Sequence, residues 1–153
     1  MQGRKFMRSR DSTTHRIVVS VAMPILAVLA VMLIGCASNP QPMHSAAAVP
    51  ASQGTVKATK GDNGNTIVDI RVKHLATPSK VAADATVYVV WIQPVNGAIQ
   101  NVGAMVLDGN LDGTLNTVTP HARFKLTVTP EPGPAVAAPT HDPVFTADVE
   151  RTE

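Results

Sequence analysis

Three oxygen-bearing side chains at alternate positions, Asp108, Asn110 and Asp112, stand where a cation-binding loop would need them. With Gly113 they match the first half of a calcium loop, D-x-N-x-D-G, whose carboxylate and amide oxygens alternate toward one ion. The twelfth position should supply a bidentate Glu but is Thr119, and no helical pattern flanks the segment. Two successive Asp/Asn-Gly turns give the same letters, because these residues accept positive φ. We favour hairpin turns, with a weak calcium site as the alternative.

Other residue types that could catalyse a reaction or bind a metal are scattered. The four histidines beyond residue 36 form no H-x-H or H-x-x-x-H pair, and no serine there sits in a G-x-S-x-G elbow. His74 continues the inward face of a predicted strand and is interpreted as a residue at the end of that strand. His141-Asp142 lies in a predicted loop, where a turn role is favoured over a catalytic dyad. No phosphate-binding glycine motif or paired-carboxylate pattern is present. We therefore predict no enzymatic activity and no cofactor.

Cys36 is the only cysteine among 153 residues, and it ends a segment organised like a secretory signal. Five basic residues within the first sixteen precede an uncharged apolar run over 17–34, and the small Gly35 stands before the cysteine. As a helix the run reaches ~27 Å, which is marginally enough to span a bilayer. An uncleaved inner-membrane anchor is therefore the alternative to a cleaved signal over residues 1–35.

The tetrapeptide Leu33-Ile34-Gly35-Cys36 resembles the lipobox of bacterial lipoproteins. The resemblance implies that the Cys36 sulfur takes a diacylglyceryl group, that the signal is cut after Gly35, and that the new amine is acylated. Two or more acyl chains hold a protein stably on a bilayer, whereas one binds only marginally. Ala37 replaces the Asp that would favour inner-membrane retention. The expected location is thus the cell envelope, on the outer membrane facing the periplasm rather than on the inner membrane.

The composition then changes twice along the chain. Residues 37–54 are uncharged, small and proline-spaced, so we predict that 36–54 form the lipidated cysteine and a flexible linker. Met43-His44 within it is a poor metal site, because two adjacent ligands on a flexible segment bind weakly. Five of the 13 basic residues but only one of the 11 acidic ones precede the apolar run, which leaves 8 against 10. No basic patch for nucleic acid is visible in the remainder.

From residue 55 to 153 the hydrophobic pattern has a period of two. Apolar and charged residues alternate over 68–73 and again over 123–128, whereas 86–92 is apolar on both faces, as in a central strand. Turn-forming residues separate these segments. The pattern predicts an all-β fold, a small antiparallel Ig-like β-sandwich. Further strands are expected at 55–60, 99–107, 114–118 and 143–149.

Tyr88 and Trp91 are three residues apart on the predicted central strand, so their side chains point to opposite faces. We favour a core position for both, since few aromatic residues are available to this domain. The alternative is that one of them is exposed and binds a partner.

The strand Tyr88-Val89-Val90-Trp91-Ile92, the segment Val128-Thr129-Pro130-Glu131-Pro132 and the pair Pro139-Thr140 together resemble the extracytoplasmic domain of anti-sigma-K-type factors. The resemblance implies a small β-sandwich outside a membrane, without catalytic residues. It does not extend to sigma-factor binding, because only sixteen residues precede the apolar run and they contain no cysteine.

These observations together predict a membrane-anchored, non-catalytic envelope lipoprotein whose β-sandwich binds or spaces other envelope components. The expected contacts are the membrane, through the lipid, and an unidentified envelope protein, with no nucleic acid. The alternative function is an extracytoplasmic ligand- or calcium-binding sensor that uses the loop at 108–113.

Overall fold

A computed structural model describes residues 39–153 of the chain, so Gly35, Cys36 and the predicted signal lie outside the described residues. The described part contains nine strands and one single-turn helix. In chain order they are β1 (Gln41–Ser45), β2 (Gln53–Lys60), β3 (Thr66–Lys73), α1 (Pro78–Val81), β4 (Val87–Pro94), β5 (Gln100–Ala104), β6 (Val106–Leu107), β7 (Gly113–Thr119), β8 (Arg123–Glu131) and β9 (Phe145–Glu150). None of the helices described between residues 39 and 153 has the length and hydrophobicity needed to cross a bilayer.

The strands follow the order β5-β4-β8-β9-β1-β2-β3-β7-β6, and every neighbouring pair is antiparallel. One layer holds β1, β2, β3, β7 and β6, and the other holds β5, β4, β8, β9 and β1. Strand β1 belongs to both layers, because Gln41–Met43 pair with β2 whereas His44 and Ser45 pair with β9. The prediction of an all-β antiparallel sandwich is therefore confirmed.

The core lies between the two layers and is built from the inward positions of alternating strands. In β3 the inward residues Val68, Ile70 and Val72 are at most 1% exposed, while Arg71 and Lys73 face solvent. Strand β8 repeats the alternation through Phe124, Leu126 and Val128. Apolar burial of this kind stabilises a fold by about 1.5–3 kcal/mol per large side chain. The two alternating segments thus behave as the sequence predicted.

The segment at 41–54 belongs to the folded domain, which corrects the linker prediction. Met43 of β1 is only 7% exposed, and Val49, in the connection to β2, is buried as well. The Ser52 hydroxyl donates to the carbonyl of His74 over 2.7 Å. Composition was misleading because β1 is a five-residue strand with one inward apolar side chain, too short to show alternation. Pairing with strands on both sides holds it in place.

The predicted strand at 99–107 is divided into two strands that belong to different layers. Residues 100–104 pair with β4, whereas Val106 and Leu107 pair with β7. Met105, between them, is 5% exposed and donates its backbone N–H to the carbonyl of Tyr88. The chain therefore passes from one layer to the other at this buried side chain.

Candidate functional site: the Glu131 cluster

Both aromatic residues of the central strand are fully buried, so the favoured core position is confirmed for each. The alternative, in which one of them is exposed and binds a partner, is wrong. Tyr88 packs in the main core beside Val90, and its hydroxyl donates to the carbonyl of Ala76 over 2.9 Å. Trp91 lies outside that core cluster, on the opposite face of β4, and is also 0% exposed. The prediction of opposite faces is correct, but neither side chain offers contact area to another molecule.

Trp91 is the inner end of a chain of side-chain hydrogen bonds. We call it the Glu131 cluster; it comprises Trp91, Thr129, Glu131, Thr140, His141 and Asp84. The indole Nε1–H donates to Thr129 Oγ1 over 2.8 Å, and the Thr129 hydroxyl donates to Glu131 Oε1 over 2.6 Å. The Thr140 backbone N–H donates to the same carboxylate over 3.0 Å, and the Thr140 hydroxyl donates to Oε2. Glu131 is 0% exposed, and its carboxylate is satisfied entirely by these donors.

His141 connects the buried part of the cluster to the surface. Its Nδ1 lies 3.0 Å from Thr140 Oγ1, and its Nε2 lies 2.9 Å from Asp84 Oδ1. The imidazole is three-quarters buried, whereas the Asp84 side chain is mostly exposed. The cluster therefore runs continuously from a tryptophan in the fold to a carboxylate in solvent.

Both ring nitrogens of His141 face an oxygen atom. Nε2 donates to the Asp84 carboxylate, which only accepts hydrogen bonds. Nδ1 faces Thr140 Oγ1, and its role as donor or acceptor there is set by the tautomer of the ring.

Glu131 is held in its ionised form in spite of its burial. Burial alone raises the pKa of a carboxyl group, because the charged form loses its hydration. Here the hydrogen bonds from Thr129 and Thr140, together with the electrostatic effect of His141, outweigh burial and lower the pKa of Glu131.

Thr140, His141 and Asp84 are spaced like a hydrolytic triad, but the Thr140 hydroxyl has a second neighbour. A triad imidazole accepts the proton of the nucleophilic hydroxyl, and it needs a free lone pair to do so. In the Glu131 cluster the Thr140 hydroxyl donates to the Glu131 carboxylate instead.

The cluster fixes the long connection between β8 and β9 against the rest of the fold. Thr140 and His141 hold its C-terminal half, and the Asn101 amide holds its N-terminal half by donating to the carbonyls of Pro134 and Val136 over 2.9 and 3.0 Å. Beside His141 lies a surface cavity of about 380 Å³ lined largely by alanine and proline. His141 thus has the predicted structural role in this loop, but its carboxylate partner is Asp84 and not the neighbouring Asp142.

The predicted calcium loop is organised by hydrogen bonds to its own backbone. Asp108 Oδ1 accepts from the N–H groups of Asn110 and Asp112 over 2.8 and 2.9 Å. Asp112 Oδ1 accepts from the N–H of His74 over 2.9 Å. Leu111 has φ of +61°, the left-handed conformation of a tight turn. The loop thus has the geometry of the favoured hairpin interpretation, and among residues 39–153 no group of three His, Cys, Asp or Glu side chains could hold a metal.

His74 does not continue the inward face of β3, contrary to expectation. It follows the strand with φ of +57° and is exposed. The change of backbone conformation at the strand end, which aims its N–H at Asp112, breaks the alternation on which the prediction depended.

No protein-family model, curated protein or solved structure matches this chain. Trp91, Thr129, Glu131 and Thr140 come from three separate segments of the sequence and are consecutive members of one hydrogen-bonded chain. Their presence together therefore has a structural reason within this fold.

Sequence reasoning identified Trp91, Thr129, Glu131 and Thr140 as motif residues but missed the cluster that they form. A glutamate at the end of a strand is normally exposed. The available signal was the alternation of Thr129 and Glu131 on one face of β8. Asp84 had no signal at all, because its partner is 57 positions away in the sequence.

Proposed function

We propose that this protein is a bacterial envelope lipoprotein, anchored by lipid at Cys36, whose non-catalytic β-sandwich binds or spaces other envelope components. The lipid anchor is supported by the sequence Leu33-Ile34-Gly35-Cys36 and by the basic and apolar segments that precede it. The non-catalytic role is supported by the Glu131 cluster, the principal assembly of buried polar groups between residues 39 and 153, whose hydrogen bonds hold the β8–β9 connection in the fold. Every buried side-chain nitrogen and oxygen in the same residues has a hydrogen-bond partner.

The position of β1 changes the expected geometry of the anchor. Only residues 37–40 separate Cys36 from the first strand, and five Cα–Cα steps extend to at most ~17 Å. A flexible linker of eighteen residues could have reached ~55 Å. We therefore propose that the domain works close to the lipid surface rather than at a distance from it.

The anchor is tested by the mass of the mature protein from membranes of a bacterial host. We expect loss of residues 1–35 together with the added mass of a diacylglyceryl group and an amide-linked acyl chain. A Cys36→Ala variant should accumulate as an uncleaved precursor and should incorporate no labelled palmitate. A wild-type protein that retains residues 1–35 without lipid would contradict the proposal and favour an uncleaved membrane anchor.

A further inference from the structure

The strand directions define which end of the sandwich is close to the proposed anchor. Strands β2 and β9 flank β1 and run antiparallel to it, so both of them end on the side from which the chain enters β1. The antiparallel pairings that follow place the ends of β4 and β7 on the same side. We call this side the anchor end, and the turns 61–65, 95–99 and 120–122 close it.

The opposite side, which we call the far end, carries the longer connections. These are residues 46–52, 74–86, 108–112 and 132–144, and the last of them contains Thr140 and His141 of the Glu131 cluster. A seven-residue strand such as β7 spans ~20 Å. A flat surface in contact with one end of an upright sandwich is therefore ~20 Å or more from the other end.

Exposed apolar side chains are concentrated at the anchor end. Val95, in the turn that follows β4, is 70% exposed. Val118 and Ile67 are 53% and 39% exposed, and they are direct cross-strand partners on the outer face of β7 and β3, one residue from the ends of these strands. Among residues 39–153, the remaining large apolar side chain in the exposed class is Val106, on β6 toward the far end. The anchor end thus exposes apolar groups on both layers.

The two ends also differ in charge. Residues 39–153 contain 8 basic and 10 acidic side chains, and the half of the domain nearer to the anchor end holds five of each. These are Lys57, Lys60, Arg123, Lys125 and Arg151 with Asp62, Asp69, Asp148, Glu150 and Glu153. The far half is left with three basic side chains against five acidic ones. Anionic lipids attract cations near a bilayer, so they repel the far end and not the anchor end.

The chain enters the domain close to the anchor end. Asn39, the first described residue, lines a surface cavity together with Ala58 and Thr152, near the end of β2. Three Cα–Cα steps separate Asn39 from Cys36, and they extend to at most ~11 Å. From Ala58 back to the start of β2 at Gln53 the strand spans ~17 Å in the opposite direction. A lipid attached at Cys36 therefore holds the anchor end, rather than the far end, close to the bilayer.

We propose that the anchor end rests on the phospholipid surface that holds Cys36, with Val95, Ile67 and Val118 at the level of the lipid headgroups. The Glu131 cluster and the long connections of the far end then face away from the bilayer, toward other envelope components. This orientation rests on the proposed lipid anchor. The acyl chains supply the affinity for the membrane, so the apolar contacts only have to select one orientation of a domain that is already attached.

Fluorescence quenching in vesicles tests this orientation. Acylated Cys36 has no free thiol and is the only cysteine of the chain, so Val95→Cys or Val106→Cys supplies a single site for a small fluorophore. Each labelled full-length lipoprotein is reconstituted into vesicles of phosphatidylethanolamine and phosphatidylglycerol that contain a lipid with a spin label on its headgroup. The fluorophore of Val95→Cys should be quenched several-fold more strongly. Val106→Cys is the matched control, because the two valines are 70% and 71% exposed but lie toward opposite ends.

Val118→Cys extends the test to the other layer, and its fluorophore should be quenched like that of Val95→Cys. Equal quenching for Val95→Cys and Val106→Cys would overturn the proposal, since it is the result for a domain that lies on its side or is held clear of the bilayer. Quenching confined to one layer would overturn it too. The mass of the same samples separates this failure from failure of the anchor. Unacylated Cys36 would contradict both proposals, whereas equal quenching of the acylated protein contradicts only the orientation.

Discussion

At the scale of single residues, the least expected feature is the buried carboxylate of Glu131, which accepts several hydrogen bonds from its neighbours. Glu131 is buried as a carboxylate, and a buried charge is tolerated only when donors replace the water that it has lost. Thr129 and Thr140 supply those donors, and the electrostatic effect of His141 also favours the charged form. The cluster thereby explains why a glutamate is retained at the end of a core strand.

Glu131→Gln is expected to destabilise the domain at pH 7 by about 1–3 kcal/mol, because it replaces a carboxylate that accepts several hydrogen bonds. The effect should depend on pH. The pKa of Glu131 is lowered from 4.5 in the folded state, so its contribution is present above pH 4.5 and is lost as the pH falls further. Urea unfolding at pH 7 and at pH 3 measures the difference. The gap between wild type and Glu131→Gln should narrow at pH 3.

Glu150→Gln is the control for this comparison, since Glu150 pairs with Arg123 on the surface with both side chains 70% exposed. Exposed pairs contribute little, and we expect a change below about 1 kcal/mol at either pH. If Glu131→Gln unfolded no more easily than Glu150→Gln at pH 7, the cluster would have no role in stability.

The buried hydroxyl of Tyr88 is expected to make the domain less stable at alkaline pH. Burial raises the pKa of its hydroxyl to about 12, so its contribution is complete below pH 10 and is lost as the pH rises toward 12. Tyr88→Phe removes the titrating group and leaves the carbonyl of Ala76 without its donor, at a cost of about 1–3 kcal/mol at pH 7. Thermal unfolding between pH 9 and pH 12 should show a shallower decline for Tyr88→Phe than for wild type. An equal decline would assign the alkaline loss to other groups.

At the scale of elements, β1 depends on a neighbouring glycine. A Cβ added to Gly54 would lie 2.5 Å from Met43 Cε and 2.9 Å from Phe145 Cδ1. The absent side chain thus leaves the space in which Met43 inserts between β2 and β9. An added side chain at this position would therefore force Met43 Cε and the Phe145 ring to shift.

Gly54→Ala is expected to destabilise the domain by about 1–3 kcal/mol, the usual cost of overpacking a core. Gly109→Ala should be nearly neutral, because nothing lies within 4 Å of its added Cβ. Combining Gly54→Ala with Met43→Ala should cost less than the sum of the two single changes, since each relieves the other's clash or cavity. Denaturant unfolding of wild type, the two single variants Gly54→Ala and Met43→Ala, and the double variant measures this coupling. Strict additivity of the free-energy changes would show that Met43 does not occupy the space above Gly54.

At the scale of the whole molecule, β1 joins the two layers of the sandwich. It is the only element described that pairs with strands of both, with β2 through Gln41–Met43 and with β9 through His44 and Ser45. Removing it would leave residues 54–56 of β2 and residues 145 and 146 of β9 without their partner on that side. The domain therefore depends on a strand that composition assigned to a linker.

A chain that begins at Ser38 is expected to fold cooperatively, whereas one that begins at Thr55 should lose its sharp thermal transition. The reason is that the shorter chain lacks β1, the buried Val49 and the first two residues of β2. Circular dichroism and amide NMR dispersion distinguish the two outcomes. A well-dispersed NMR spectrum from the chain that begins at Thr55 would show that the folded domain begins at residue 55, as predicted from the sequence.

The sequence by itself determined the fold class, because apolar side chains at every second position can be buried together only on one face of a strand. Strands β3 and β8 were predicted on this basis, whereas β4 was predicted from a short run that is apolar on both faces. The opposite faces of Tyr88 and Trp91 follow from the same period of two. The turn interpretation of the loop at 108–113 could also be made, since Asp and Asn turns depend on interactions between near neighbours in the chain.

Only the tertiary structure decided the position of β1, the hydrogen-bond partner of Trp91 and the existence of the Glu131 cluster. Each depends on contacts between residues far apart in the sequence: β1 is a strand because β2 and β9 flank it, and Glu131 is charged because Thr140 and His141 return to it across a loop. The pattern of a short segment cannot encode such pairings. The same residues would suit an exposed loop equally well if their distant partners were absent.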